Sequence, residues 1–140
     1  MEFLSKKDQK KYKGILSNSI SRKGKFLSRK LTINYVTTTI KVNRIRYEND
    51  LLEYCGLKNE YNYDNIYIML AKKFTNTMHF RLPYAIIYCS VNWKINKIEI
   101  VRPNAKINFN NAFEYVFIMA PNLIKYFNLN LNDTLRTSIW

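Results

Sequence analysis

A stretch of β-favouring residues without any charge runs from Tyr84 to Val91. Its side chains do not alternate between polar and apolar, which is typical of a strand buried on both faces of a sheet. Polar turn-forming residues follow at 92–96, and residues 97–100 then alternate as a half-buried strand does. The pattern predicts a β-hairpin whose first strand is central and whose second strand lies nearer an edge.

A second β-favouring region, residues 31–47, is rich in threonine, isoleucine, valine and tyrosine. Its alternation changes phase, because Ile33 and Tyr35 share one parity whereas Val36, Ile40 and Val42 share the other. The three threonines at 37–39 lie close to this change. We therefore expect a turn or a β-bulge in the threonine run.

Other apolar residues recur at helical spacing. Near the N-terminus an apolar stripe begins at Tyr12 and ends at Ile20, with lysines on the other faces, and it predicts an amphipathic helix. Pro121 must end, kink or restart the helix that is predicted before it. The predicted helices cover residues 5–21, 49–55, 64–74, 112–120 with an apolar extension to 127, and a short final segment from 132 to 140.

Together these elements predict an α+β fold. With 140 residues, of which 47% are hydrophobic and 15% aromatic, the chain is long and apolar enough for one domain with a core. We expect a small, mostly antiparallel sheet, formed by residues 32–47 and 84–101, to be packed by helices, because a hairpin needs a second layer. A basic N-terminal arm with the amphipathic helix, residues 1–30, precedes this α+β body, residues 31–140.

The chain carries a formal net charge of +13, from 23 lysines and arginines against 10 acidic residues. Such an excess favours a polyanionic partner, either nucleic acid or an anionic surface. Codon composition is the competing explanation, since an AT-rich genome enriches lysine, asparagine, isoleucine and tyrosine without selection for binding. That explanation leaves the small number of acidic residues without a cause.

The positive charge is concentrated near the N-terminus, where residues 1–30 hold 10 basic and 2 acidic residues, whereas residues 48–64 are net acidic. Aromatic residues are interleaved with the basic ones, for example at Tyr12, so phosphate contacts can be combined with stacking on unpaired bases. The predicted nucleic-acid contacts are Lys6, Lys7, Lys10, Lys11, Lys13, Arg22, Lys23, Lys25, Arg29, Lys30, Lys41, Arg44 and Arg46.

Motifs for catalysis, metal binding and cofactor binding are missing from the sequence. The three glycines lie far apart, so they cannot form a phosphate-binding loop. His79 is the single histidine, and Cys55 and Cys89 have no paired spacing, so we predict no metal site, no cofactor and no catalytic residue. A metal-dependent nuclease that uses Asp64 and Glu99 is a minor alternative.

The sequence therefore predicts a non-enzymatic nucleic-acid-binding protein, with RNA a better match than DNA. A basic arm on a compact α+β body is similar in general character to many components of ribonucleoprotein assemblies such as the ribosome. A winged helix with the 84–101 hairpin as its wing is a minor option. The main alternative is a small protein–protein interaction module encoded by a virus or phage with an AT-rich genome. The acidic segment, residues 48–64, would then be the contact surface, and it also offers a site for other proteins of an assembly.

The sequence shows no segment for membrane insertion. The longest charge-free stretch, residues 82–93, has 12 residues, fewer than the ~20 of a spanning helix. No secretory signal is evident, and both cysteines are expected to be reduced and buried. We expect an intracellular protein, in the cytoplasm or an organelle matrix, without integral membrane association. A mitochondrial transit peptide is the alternative interpretation of the basic N-terminal segment.

Overall fold

Seven β-strands account for most of the regular structure in the part of the chain that the structure describes. This part comprises residues 28–47, 50, 65–78, 80–108 and 110–138 of a computed structural model. The helical elements placed among the strands are a 3-10 turn at Ala71–Lys73 and a short helix, α1, at Asn122–Phe127. The strands are β1 (Ser28–Ile33), β2 (Val36–Arg44), β3 (Ile66–Leu70), β4 (Tyr84–Cys89), β5 (Ile95–Val101), β6 (Tyr115–Met119) and β7 (Leu135–Arg136).

The strands form one mixed sheet in the order β5-β4-β6-β3-β2-β1-β7. Neighbouring strands are antiparallel except for β2 and β3, which run parallel. β4 is hydrogen-bonded to β5 on one side and to β6 on the other, and all of its residues are buried. The predicted hairpin with a central first strand is therefore confirmed, and its second strand, β5, lies at the end of the strand order.

The two ends of this sheet meet. An antiparallel bridge joins Lys94 to Thr134, and three backbone hydrogen bonds of 2.8 to 3.0 Å connect residues 93–95 with residues 132–135. We call this junction the seam. A closed sheet satisfies backbone groups that an open edge would expose, so the seam protects the start of β5 and the approach to β7.

A tight turn at Asn34 and Tyr35 joins β1 to β2. Their φ angles are 47° and 68°, and two positive values are what a type I′ turn requires. Asn34 also fastens the turn to the seam. Its N–H donates to Thr134 O, and its Oδ1 accepts from the Thr134 N–H, each at 2.8 Å. The turn is thus held against a strand that is distant in sequence.

The threonine run of β2 contains a β-bulge, one of the two structures that the change of phase predicted. One residue of β1, Leu31, lies opposite residues 38–40 of β2. The Thr38 hydroxyl donates to Leu31 O at 2.8 Å and accepts from the Ile40 N–H at 3.1 Å. The side chain therefore binds backbone groups that the irregular strand pairing does not use.

Two apolar cores lie on opposite faces of the sheet. The inner core fills the closed sheet with side chains from all seven strands, and α1 adds Leu123 and Phe127. The outer core packs alternate residues of β3, β4 and β6 against the loops around residues 74–82 and 107–113. β3, β4 and β6 are consequently buried along almost their whole length.

Thr77 joins two loops of the outer layer. Its side chain is buried, and its hydroxyl donates to Arg102 O at 2.6 Å while accepting from the Ala105 N–H at 2.7 Å. The Thr77 N–H also donates to Ala105 O at 2.8 Å. These contacts hold the loop that follows the 3-10 turn against the loop that follows β5.

The prediction of an α+β fold packed by helices is wrong. β3 and the 3-10 turn replace the helix predicted for residues 64–74, and β6 replaces the helix predicted for residues 112–120. The sheet is accordingly larger than residues 32–47 and 84–101 alone. The residues that form β3 and β6 are apolar at every position, so a strand buried on both faces explains them as well as a helical stripe does. The final helix predicted from residue 132 is also wrong where the structure describes it, because the seam and β7 lie there.

Of the three alternatives for Pro121, the start of a new helix is the one that the structure has, since α1 begins directly after it, although a strand and not a helix precedes it. The helices predicted for residues 5–21 and 49–55 lie outside the described residues, apart from Asp50. The predicted arm, residues 1–30, also lies outside them, except that residues 28–30 begin β1. None of the helices in the described ranges has the length and apolar character needed to cross a membrane.

Candidate nucleic-acid interface

A groove of about 690 Å³ lies on the surface formed by β1, β2 and the residues around β7. We call it the basic groove. Its described lining combines basic side chains, hydroxyl side chains and a tyrosine, and it includes no acidic residue. The lining residues are Arg29, Lys30, Thr32, Tyr35, Thr37, Lys41, Thr134, Arg136, Thr137 and Ser138.

Strand pairing places these residues side by side. Lys30 of β1 pairs directly with Lys41 of β2, while Thr32 pairs with Thr37 on one side and with Arg136 on the other. Paired residues of antiparallel strands point to the same face of the sheet, as do residues 30 and 32 of one strand. The three cations therefore share one face, next to the two threonines.

The part of the chain that the structure describes provides no partner for these three charges. Among the residues that the structure describes, the side chains of Lys30, Lys41 and Arg136 make no hydrogen bond or ion pair. Two like charges directly opposite each other on neighbouring strands are destabilising. The pairing of Lys30 with Lys41 therefore costs stability in the isolated protein, and an anion between the two ammonium groups would remove that cost.

Hydroxyl groups complete the groove. Thr32 Oγ1 and Thr37 Oγ1 are 3.2 Å apart and share a hydrogen bond. The Thr137 side chain is buried in the lining, and its hydroxyl has no hydrogen-bond partner within the described ranges. Threonine and serine hydroxyls commonly contact phosphate oxygens beside lysine and arginine. The lining is thus chemically suited to a phosphate-containing ligand.

Arginines also lie near one another where β1 begins and β2 ends. The pKa of Arg44 is lowered from its usual value, first by burial and then by the positive charges of Arg46 and Arg29. Arginine stays protonated at neutral pH in spite of such a shift. Beside Arg46, the Lys73 ammonium donates to Arg46 O at 3.2 Å and lies 5.5 Å from the Tyr47 ring centre. Arg44 shares its face of β2 with Val42 of the inner core, so it adds positive charge near Arg29 but on the opposite face from Lys41.

The chain matches no known protein family, and no curated protein matches it. Its fold is shared with solved bacterial structures. One is a candidate transcription regulator from Sinorhizobium meliloti 1021, which has a TM-score of 0.63, 14% sequence identity, and coverage of 81% of this chain and 95% of that protein. Another is a protein of unknown function from Novosphingobium aromaticivorans DSM 12444, with a TM-score of 0.58, 11% identity, and coverage of 79% and 84% respectively. At these identities the likeness shows the fold alone.

The described members of the predicted contact set belong to β1, to β2 and to the residues directly after β2. Arg29, Lys30 and Lys41 line the groove, and Arg44 and Arg46 lie beyond it. The sequence prediction missed Arg136, because no local run of charge marks it and its pairing with β1 alone brings it to the groove. The remaining predicted contacts lie outside the described residues: Lys6, Lys7, Lys10, Lys11, Lys13, Arg22, Lys23 and Lys25.

The structure describes one of the two carboxylates of the nuclease alternative. Glu99 Oε2 accepts from the Tyr88 hydroxyl at 3.0 Å and lies 3.4 Å from Lys97 Nζ. Asp64 and His79 lie outside the described residues, and so does the acidic segment 48–64, apart from Asp50. Within the described part of the chain, no three His, Cys, Asp or Glu side chains form a group that could hold a metal ion. Glu99 is therefore explained by its contacts within the β4–β5 pair.

Proposed function

We propose that this protein binds nucleic acid through the basic groove and the adjoining arginines, without catalysing a reaction of its own. The observation that carries the proposal is the position of Lys30 directly opposite Lys41, with Arg136 on the same face, in a groove whose described lining includes no acidic residue. Placing unneutralised like charges side by side lowers the stability of a sheet. A phosphate backbone supplies counter-charges that the described residues do not provide there.

The rest of the surface fits a long anion better than a small one. Hydroxyl side chains in the groove can contact phosphate and sugar oxygens, and Arg44 and Arg46 add positive charge near Arg29 of the groove. The basic residues of the predicted arm directly precede β1 in the sequence, so their contacts would add to those of the groove. Likeness to a candidate transcription regulator gives coarse support for a regulatory or nucleic-acid-binding role. It gives none for a ribosomal or ribonucleoprotein role, which the proposal leaves out.

The test is a salt titration of affinity, measured by the fluorescence anisotropy of labelled RNA and DNA strands and of a DNA duplex. Neutralised phosphates release counterions, so log K should fall with log salt by about 0.7 per phosphate on a single strand and about 0.9 on a duplex. The triple variant Lys30→Gln, Lys41→Gln, Arg136→Gln should therefore lower the slope by about two to three units. Using both nucleic acids also tests the preference for RNA, which stays a prediction.

A matched control separates the groove from the net charge. The triple variant Arg102→Gln, Lys106→Gln, Lys125→Gln also removes two lysines and one arginine, all three exposed and none lining the groove. It should keep most of the slope of the parent protein. Equal effects of the two triple variants would mean that the charge acts without the groove. A parent protein with no salt-dependent binding to any of the probes would refute the proposal and favour the protein-interaction alternative.

A further inference from the structure

Tyr35 lines the basic groove in an unusually exposed position. Its side chain is 81% exposed and belongs to neither apolar core. Tyrosine ordinarily buries the body of its ring and leaves the hydroxyl in water. The flat apolar ring is therefore open to a ligand that occupies the groove.

The backbone at Tyr35 is also unfavourable for a tyrosine. Its φ angle of 68° lies in the left-handed region, which a residue with a bulky side chain adopts at a conformational cost. The pair preferred in such a turn is Asn-Gly, and this chain has Asn34 followed by tyrosine instead. A side chain that lowers local stability and yet stays exposed points to a role in binding.

The position of the ring relative to the cations is held by the seam. Asn34 exchanges two hydrogen bonds of 2.8 Å with Thr134, and Thr134 directly precedes β7, which carries Arg136. The turn that presents Tyr35 is thus tied to the far wall of the groove. A ligand that contacts the ring and the cations together need not order a mobile loop, which favours affinity.

We infer that Tyr35 stacks on an unpaired base, so that the groove selects single-stranded over double-stranded nucleic acid. This inference rests on the proposed function and names the class of its ligand. Lys30, Lys41 and Arg136 attract phosphates of either form, but the ring can stack only on a base whose face is open. Bases inside a duplex already stack on each other, and extruding one of them is costly.

Three substitutions test this role, with a labelled single strand of mixed sequence and the duplex formed with its complement as probes. Tyr35→Phe keeps the ring and should bind both probes within about twofold of the parent protein. Tyr35→Leu keeps apolar bulk without a π face, and Tyr35→Gly removes the side chain. Both should weaken binding of the single strand by about fivefold to a hundredfold, the usual range for one stacked base. Duplex affinity and the salt slope should change little, because tyrosine contributes no charge.

The variant Tyr35→Gly also serves as the control for folding. Tyr35→Gly should melt at a temperature equal to or higher than the parent protein, because glycine accepts the positive φ. Loss of single-strand binding in a more stable protein would therefore come from loss of the ring. The inference is overturned if the Leu and Gly variants bind the single strand as the parent does. That result would still allow the basic groove to bind nucleic acid through its charges. Failure of the proposed function would instead be seen in the parent protein, whose binding would not depend on salt.

Discussion

Replacing Asn34 should destabilise the protein by an amount that depends on the new residue, because Asn34 holds the β1–β2 turn against the seam. Its Oδ1 accepts the Thr134 N–H at 2.8 Å, and its own φ angle is 47°. Asn34→Asp keeps an acceptor and tolerates the left-handed region, so its stability should stay within about 0.5 kcal/mol of the parent protein. Asn34→Gly keeps the backbone freedom but loses the acceptor. Asn34→Ala loses the acceptor and places a Cβ atom at a positive φ angle.

The two effects can be estimated separately. Without the acceptor, the partly buried Thr134 N–H loses its partner, at a cost of about 1 to 2 kcal/mol. A left-handed conformation costs an alanine roughly 1 to 2 kcal/mol more. We therefore expect the free energy of unfolding to fall by about 1 to 2 kcal/mol for Asn34→Gly and by about 2 to 4 kcal/mol for Asn34→Ala. The bond from the Asn34 N–H to Thr134 O remains in every variant.

Urea denaturation followed by circular dichroism measures these differences. The midpoint should shift in the order Asp, Gly, Ala, while the dependence of the free energy on urea concentration stays constant. An alanine variant as stable as the glycine variant would refute the conformational part of the reasoning. An aspartate variant as unstable as the alanine variant would refute the part that assigns the loss to the hydrogen bond.

Three further predictions concern buried side chains. Thr77→Val should lower the free energy of unfolding by about 2 to 4 kcal/mol because two partly buried hydrogen bonds are lost, whereas Thr77→Ser should retain most of the stability. Thermal melting distinguishes the two variants. The pKa of Tyr88 is raised by burial, by the charge of Glu99 and by its hydrogen bond to Glu99, so the folded state disfavours the phenolate. The stability that the protonated Tyr88 hydroxyl contributes is present below the usual pKa of 10.0 and is lost as the pH rises above that value. Melting temperatures above pH 10 should therefore fall more steeply for the parent protein than for Tyr88→Phe. Burial also raises the pKa of Cys89, so in a Cys55→Ser variant a thiol reagent should label Cys89 only after unfolding.

The sequence predicts correctly those elements whose pattern lies within a few neighbouring residues, and it fails where pairing with distant strands decides the structure. β4 was predicted correctly because an apolar run ends at polar turn residues and resumes as a clear alternation. For the residues of β3 the pattern predicts a helix, because Ile66, Met69 and Leu70 fit a helical stripe. Tyr67 and Ile68 between them are equally buried, on the two opposite faces of the strand. Strand pairing with β2 and β6 decides this case, and a short apolar run carries no information about such distant partners.

The candidate site was predictable to a similar extent. The basic residues Lys30 and Lys41 were identified from charge density, but their direct opposition depends on the register after the bulge in β2. Arg136 had no local signal, since it joins the groove through β7. The β-favouring pattern of residues 31–47 predicts a strand at Tyr35. The structure instead has a turn of two residues with positive φ at this point. A tyrosine is not what turn statistics lead one to expect there.

The bond between Asn34 and Thr134 links residues that are 100 positions apart in the chain. During synthesis on the ribosome, β1 and β2 emerge early, but the wall that carries Arg136 exists only after β7 has left the exit tunnel. Closing so long a loop costs entropy before any contact compensates for it, so the seam should form late in folding. A nascent or partly folded chain would then display the Lys30–Lys41 side of the groove without its partner wall. On the proposed function, tight binding of nucleic acid would thus require a chain in which β7 has been synthesised and has paired with β1.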